Sequence, residues 1–121
     1  MFSAIPSDPY PWLALDYGEG VEVSVEKVVI YNRPALGART RNIEVQISDE
    51  LPTLATSKFT GGQLLGTFTG PASNGQVIEI QSGPGWLSKH GRYIIVQMDN
   101  GKDPLNLKEV VASGVHFPDG Q

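Results

Sequence analysis

The sequence predicts an all-β domain built as a sandwich or barrel, and three observations carry that prediction. Fourteen Gly and nine Pro punctuate 121 residues of which 40% are apolar, the composition of many short strands joined by tight turns. Apolar and polar residues alternate with a period of two in several runs, the repeat that puts one face of a strand into a core. Roughly seven or eight such runs recur at regular spacing, which favours a sandwich over a βαβ fold.

The elements follow in chain order. Residues 12 to 17 alternate loosely and run into Gly18-Glu19-Gly20, a turn signal. Val21, Val23 and Val25 alternate with Glu22, Ser24 and Glu26, so they share one face of a half-buried strand. Val28, Val29 and Ile30 form an unbroken apolar run suited to the centre of a sheet. Ile43, Val45 and Ile47 alternate with Glu44, Gln46 and Ser48, predicting a strand over 42 to 48, and Asp49 to Gly62 reads mainly as loop. Leu64 to Thr69 and Gln76 to Gln81 are two short strands around Asn74-Gly75, a hairpin-turn signal, so they are predicted to pair with each other. Gly83-Pro84-Gly85 breaks the chain before a strand from Arg92 to Met98. Asn100-Gly101 turns it toward a last strand from Leu105 to Ala112, and Phe117 to Gln121 reads as a frayed tail. The whole chain, residues 1 to 121, reads as one domain, with 10 to 114 carrying the pattern.

Composition excludes several functions. The formal net charge of -4 opposes capture of a phosphate backbone, so nucleic acid is not an expected partner. With no cysteine there is no disulfide framework, thiolate metal site or cysteine nucleophile. The N-terminal residues lack a signal-peptide pattern and no apolar stretch is long enough for a transmembrane segment. Two histidines 26 residues apart, without an HExxH or GxSxG element, make no zinc or triad motif, and no enzyme is predicted.

Several motifs then occur in a recognisable order. Trp12, Asp16 and Gly18 close one strand; Val28-Val29-Ile30-Tyr31-Asn32-Arg33 follows; Gly91-Arg92-Tyr93-Ile94-Ile95-Val96 and Leu105-Asn106-Leu107-Lys108-Glu109-Val110 come later. In this the chain resembles discoidin-type (coagulation factor type C) domains, and F-type lectins (fucolectins) in particular, over about Pro11 to Gly114. The resemblance implies a jelly-roll β-sandwich, galactose-binding-domain-like, whose first strands have no evident counterpart here. It implies a noncatalytic, lectin-like carbohydrate-binding or adhesion module, extracellular or on a cell surface, with a glycan or glycoprotein as partner. It also implies that Trp12 packs in the core.

The fucose-binding pattern of that family is an upstream His, then Arg-x-Asp, then a further base. Arg33 matches the first Arg. Ala35 stands at the Asp position, Thr40 falls where the second base belongs, the His would fall near Pro6, and Leu36-Gly37 replace a cysteine pair common in that loop. Arg39 and Arg41 flank Thr40, so three of the four arginines of an acidic chain lie within nine residues. Guanidinium groups donate in a planar fork suited to hydroxyls or carboxylates. The competing reading is a solvated loop whose arginines pair with nearby carboxylates. Trp86, in a loop rich in Gly and Pro, and Tyr10 are candidates to stack on a sugar ring.

The resemblance also implies calcium near one end of the sandwich, with Glu109 matching a ligand of the final strand. The early loop that would supply other ligands has no counterpart, and calcium takes about six to eight oxygens. The alternative function is a structural or protein-interaction module that has lost sugar binding, in which another protein chain or domain completes the sheet. Ala35 and the missing His support it.

Overall fold

The computed structural model describes residues 2–3, 10–53, 58–99 and 105–117. Among them are eight strands: β1 (Phe2–Ser3), β2 (Trp12–Asp16), β3 (Glu22–Asn32), β4 (Ile43–Ser48), β5 (Gln63–Phe68), β6 (Val77–Gln81), β7 (Tyr93–Met98) and β8 (Asn106–Phe117). Two single 3-10 turns, Gly37–Arg39 and Trp86–Ser88, are the helical elements described. The strands form two antiparallel sheets, ordered β1-β8-β3-β6 and β2-β7-β4-β5. This is the predicted β-sandwich. No helix among the described residues is long and apolar enough to cross a membrane.

The core lies between the sheets and follows the alternation in the sequence. Val28, Ile30, Leu107 and Val110 from the first sheet meet Ile43, Val45, Ile47, Ile94, Val96 and Met98 from the second. The outer face of β4 and β7 is covered as well. Gln46 and Gln97 are buried there and clamp the segment at Phe59, whose N–H donates to Gln97 Oε1 at 2.8 Å while its carbonyl accepts from Gln46 Nε2 at 2.8 Å. That second cover is why β7 can carry Ile94, Ile95 and Val96 in succession, all fully buried.

The two valine runs at 21–25 and 28–30 belong to one strand. Val23 and Val25 point inward at odd positions, Val28 and Ile30 at even ones, and the register against β8 shifts between Val25 and Lys27. A β-bulge inserts one residue and so reverses which parity faces the core. β8 likewise continues beyond Ala112, because its second half pairs with the first half of β3 from Val25↔Gly114 to Glu22↔Phe117. Gly114 sits inside this strand because a Cβ there would collide with the Ser24 carbonyl.

Two expectations are corrected. β5 and β6 do not form a hairpin: β5 pairs with β4 in one sheet and β6 with β3 in the other. The intervening residues cross from sheet to sheet, and their hydrogen bonds go to the loop after β3. Trp12 is not a core residue. Leu13 takes the inward position of β2, leaving Trp12 half-buried. The predicted turn at Asn100-Gly101 and the tail beyond Phe117 lie outside the described residues.

Candidate functional site

The loop from Arg33 to Arg41 leaves the end of β3 and is built around the buried side chain of Asn32. Asn32 Nδ2 donates to the carbonyls of Gly37 (3.1 Å) and Ser73 (2.8 Å), and its Oδ1 accepts from Thr40 Oγ1 at 2.6 Å. A buried amide with both ends bonded fixes its partners in space. The crossing segment 69–76 supplies the other wall. Asn74 Oδ1 accepts the Gly37 N–H at 2.7 Å, Ala72 N–H donates to the Thr40 carbonyl at 2.9 Å, and Gly75 N–H donates to the Arg33 carbonyl at 2.8 Å. Gly37 is required by this contact: a Cβ would stand 2.6 Å from the backbone nitrogen of Asn74. The Asn74-Gly75 turn is therefore a brace under the arginine loop.

Arg33 is half-buried, and its Nε donates to the carbonyl of Ala35 at 2.6 Å. The main chain at position 35 thus orients the guanidinium where the family pattern has a carboxylate. Arg33 Nη1 is buried without a hydrogen-bond partner, and among the described residues Arg33 forms no ion pair. A buried donor without an acceptor is uncommon because its lost hydration is not replaced. Arg41 Nη1 lies 3.3 Å from the Ala38 carbonyl, so its side chain folds back along the loop. Arg39 ends the 3-10 turn, and Leu36, in the left-handed conformation with φ 57°, projects at the tip with 53% exposure.

Tyr10 lies at the same end on the neighbouring sheet, just before β2. The Pro11 carbonyl accepts the Met98 N–H and the Asn42 carbonyl accepts the Asp99 N–H, which draws these chain ends together. Beside Asn42 is a shallow hollow of about 280 Å³ bordered by Glu44, Lys58, Phe68 and Asp99. Lys58 pairs with Glu44 at 2.9 Å, and that hydrogen bond raises the lysine pKa above its usual value.

The remaining candidates fall elsewhere. Thr40 is buried and bonded to Asn32, so it is a brace of the loop with no surface to offer a ligand. Trp86 sits at the opposite end of the sandwich. Its 3-10 turn is anchored by Ser24 Oγ, which donates to the Lys89 carbonyl at 2.9 Å, near the start of β3, whereas Arg33 follows its end. Eight residues of strand separate Ser24 from Asn32, about 26 Å at the usual rise, so Trp86 cannot stack on a ligand held by Arg33. Glu109 is exposed on β8 opposite Tyr31, and no group of three or more His, Cys, Asp or Glu side chains able to hold a metal occurs among the described residues. Among the described residues, Glu109 is therefore not joined by the further carboxylates that calcium favours. The position near Pro6 lies outside the described residues.

Asn32, Thr40 and Asn74 are the residues that sequence reasoning missed as builders of the site. The available signal was Asn32 itself, a polar residue closing an apolar strand.

With this geometry in place, comparison with solved structures is informative. An F-lectin (fucolectin) from the serum of striped bass, Morone saxatilis, superposes with a TM-score of 0.73 at 22% identity, covering 93% of this chain and 34% of that one. The chain has the fold of the F-type lectins. The lectin domain of lectinolysin, solved with Lewis B antigen, matches that fold with a TM-score of 0.63 at 24% identity, covering 90% of this chain and 68% of the other. CBM62 from Clostridium thermocellum Xyl5A gives 0.68 at 21% identity, with coverages of 95% and 74%. This F-type fold thus spans about a third of the striped bass lectin chain. No family model and no curated protein matches the sequence.

Proposed function

We propose that this chain is a noncatalytic carbohydrate-binding module that grips glycans with the loop from Arg33 to Arg41, at the surface of a cell or outside it. The observation that carries the reading is Arg33, a guanidinium oriented by a backbone carbonyl, with a buried Nη1 lacking an acceptor and no carboxylate partner. The ion-paired surface loop, the competing account of the arginines, is disfavoured at that residue. Arg39, Arg41 and Tyr10 border the same end. The fold shared with lectin and fucose-binding modules supports the same reading.

The test is a broad glycan array with wild type, Arg33→Ala and Trp86→Ala. Binding that disappears in Arg33→Ala at unchanged melting temperature and persists in Trp86→Ala supports the reading; binding indifferent to Arg33 overturns it. An interaction module is the second reading. It is favoured by Val77 and Val111, 56% and 40% exposed, which lie opposite Tyr31 and Val29 of β3 on the outer face of the first sheet. A folded protein that binds no glycan but self-associates or captures a protein through Val77 would establish it.

A further inference from the structure

We infer that the glycan held by this loop carries a carboxylate, as in a uronic or sialic acid residue. The inference rests on the glycan-binding reading and adds the chemical class of the ligand. Both walls of the site are free of acid: residues 33–41 contain three arginines and no Asp or Glu, and residues 69–76, packed against them, contain no charged residue at all. The chain as a whole has thirteen acidic and nine basic residues, so this cationic concentration runs against its composition. The nearby Glu44 is engaged by Lys58 at 2.9 Å.

The substitution at position 35 gives the charge its meaning. An aspartate beside an arginine both orients and neutralises it, leaving a nearly neutral donor pair suited to hydroxyls. Here the Ala35 carbonyl orients Arg33 through Nε at 2.6 Å and leaves its charge uncompensated. The buried Nη1 likewise has no acceptor. A carboxylate answers both demands, because its two oxygens match the guanidinium fork and charge-assisted hydrogen bonds are about twice as strong as neutral ones.

Isothermal titration of the full chain with trigalacturonate and with glucuronate- and N-acetylneuraminate-terminated trisaccharides, each against its methyl ester, tests the inference. Esterification removes the charge and keeps the hydroxyls. At least one acid is expected to bind about tenfold or more tighter than its ester, with affinity falling as salt is raised. Arg33→Lys should lose much of that preference, since it keeps the charge and loses the fork. Ala35→Asp, at an exposed position, should erase it by giving Arg33 an internal carboxylate. Equal binding of acid and ester, neutral glycans alone binding on the array, or an acid preference unchanged in Ala35→Asp overturns the inference and leaves glycan binding intact. No binding to any glycan overturns the underlying reading with it.

Discussion

At the scale of single residues, Arg33 and Asn32 are chain neighbours with opposite roles. Arg33 has one internal hydrogen bond, to the Ala35 carbonyl, so its loss should change stability by less than about 1 kcal/mol. Asn32 is buried and serves three partners, the carbonyls of Gly37 and Ser73 and the hydroxyl of Thr40. Asn32→Ala removes all three bonds; the Gly37 and Ser73 carbonyls keep the Thr40 and Gln76 N–H donors, but the buried Thr40 hydroxyl loses its acceptor, and about 1–3 kcal/mol of stability should be lost. Urea unfolding of both variants checks the contrast; an Asn32→Ala protein as stable as wild type would show that the amide does not hold the loop. Arg33 was a candidate from the sequence because it matches the first Arg of the family pattern and is one of three arginines within nine residues. The part played by position 35 was not legible, since a backbone carbonyl belongs to every residue type and only its placement makes it an orienting group.

At the scale of elements, the loop and its brace depend on contact between segments more than thirty residues apart in sequence. Gly37 N–H meets Asn74 Oδ1 at 2.7 Å, and the absent side chain at Gly37 is what permits the approach. Gly37→Ala should therefore push the two walls apart, costing about 1–3 kcal/mol as overpacking does and weakening ligand binding at the same time. A thermal melt and a glycan titration on that variant measure the two effects; unaltered values for both would mean that the walls are not coupled. The strands themselves were readable because period-two alternation follows from burial of one face. What alternation cannot reveal is partner choice. Leu64 to Phe68 and Val77 to Gln81 have hairpin spacing and an Asn-Gly turn between them, yet each completes a different sheet. The parity reversal in β3 was equally present as two out-of-step valine runs, and it became one strand only when β8 showed the bulge between them.

At the scale of the whole molecule, the two ends of the sandwich carry different electrostatics. One end has Arg33 with no ion pair among the described residues, while the far end holds Glu22, Asp49 and the Asp16–Arg92 pair, in which Arg92 Nε meets Asp16 Oδ1 at 2.8 Å and Nη2 meets Oδ2 at 3.0 Å. The hydrogen bond with Asp49, helped by burial and by repulsion between the two groups, pushes the Glu22 pKa up to about 7 from 4.5. A carboxyl whose folded pKa is raised binds its proton more tightly in the native state, so its stabilising contribution is complete below about pH 4.5 and is lost as pH rises through 7. Asp16 has the opposite sign: its hydrogen bonds to Arg92 and to the Gly18 N–H lower its pKa below 3.8, and its contribution is lost only in stronger acid. The melting temperature should accordingly be highest near pH 5 and fall toward pH 8. Glu22→Gln, which keeps a hydrogen-bonding side chain and has no charge to gain, should flatten that fall and exceed wild type at pH 8. Because this pair lies at the opposite end of β3 from Arg33, the same substitution should leave glycan affinity unchanged across the range. A melting curve equally pH-dependent in Glu22→Gln would assign the proton to another group and remove the far-end carboxyl pair as the source of the effect.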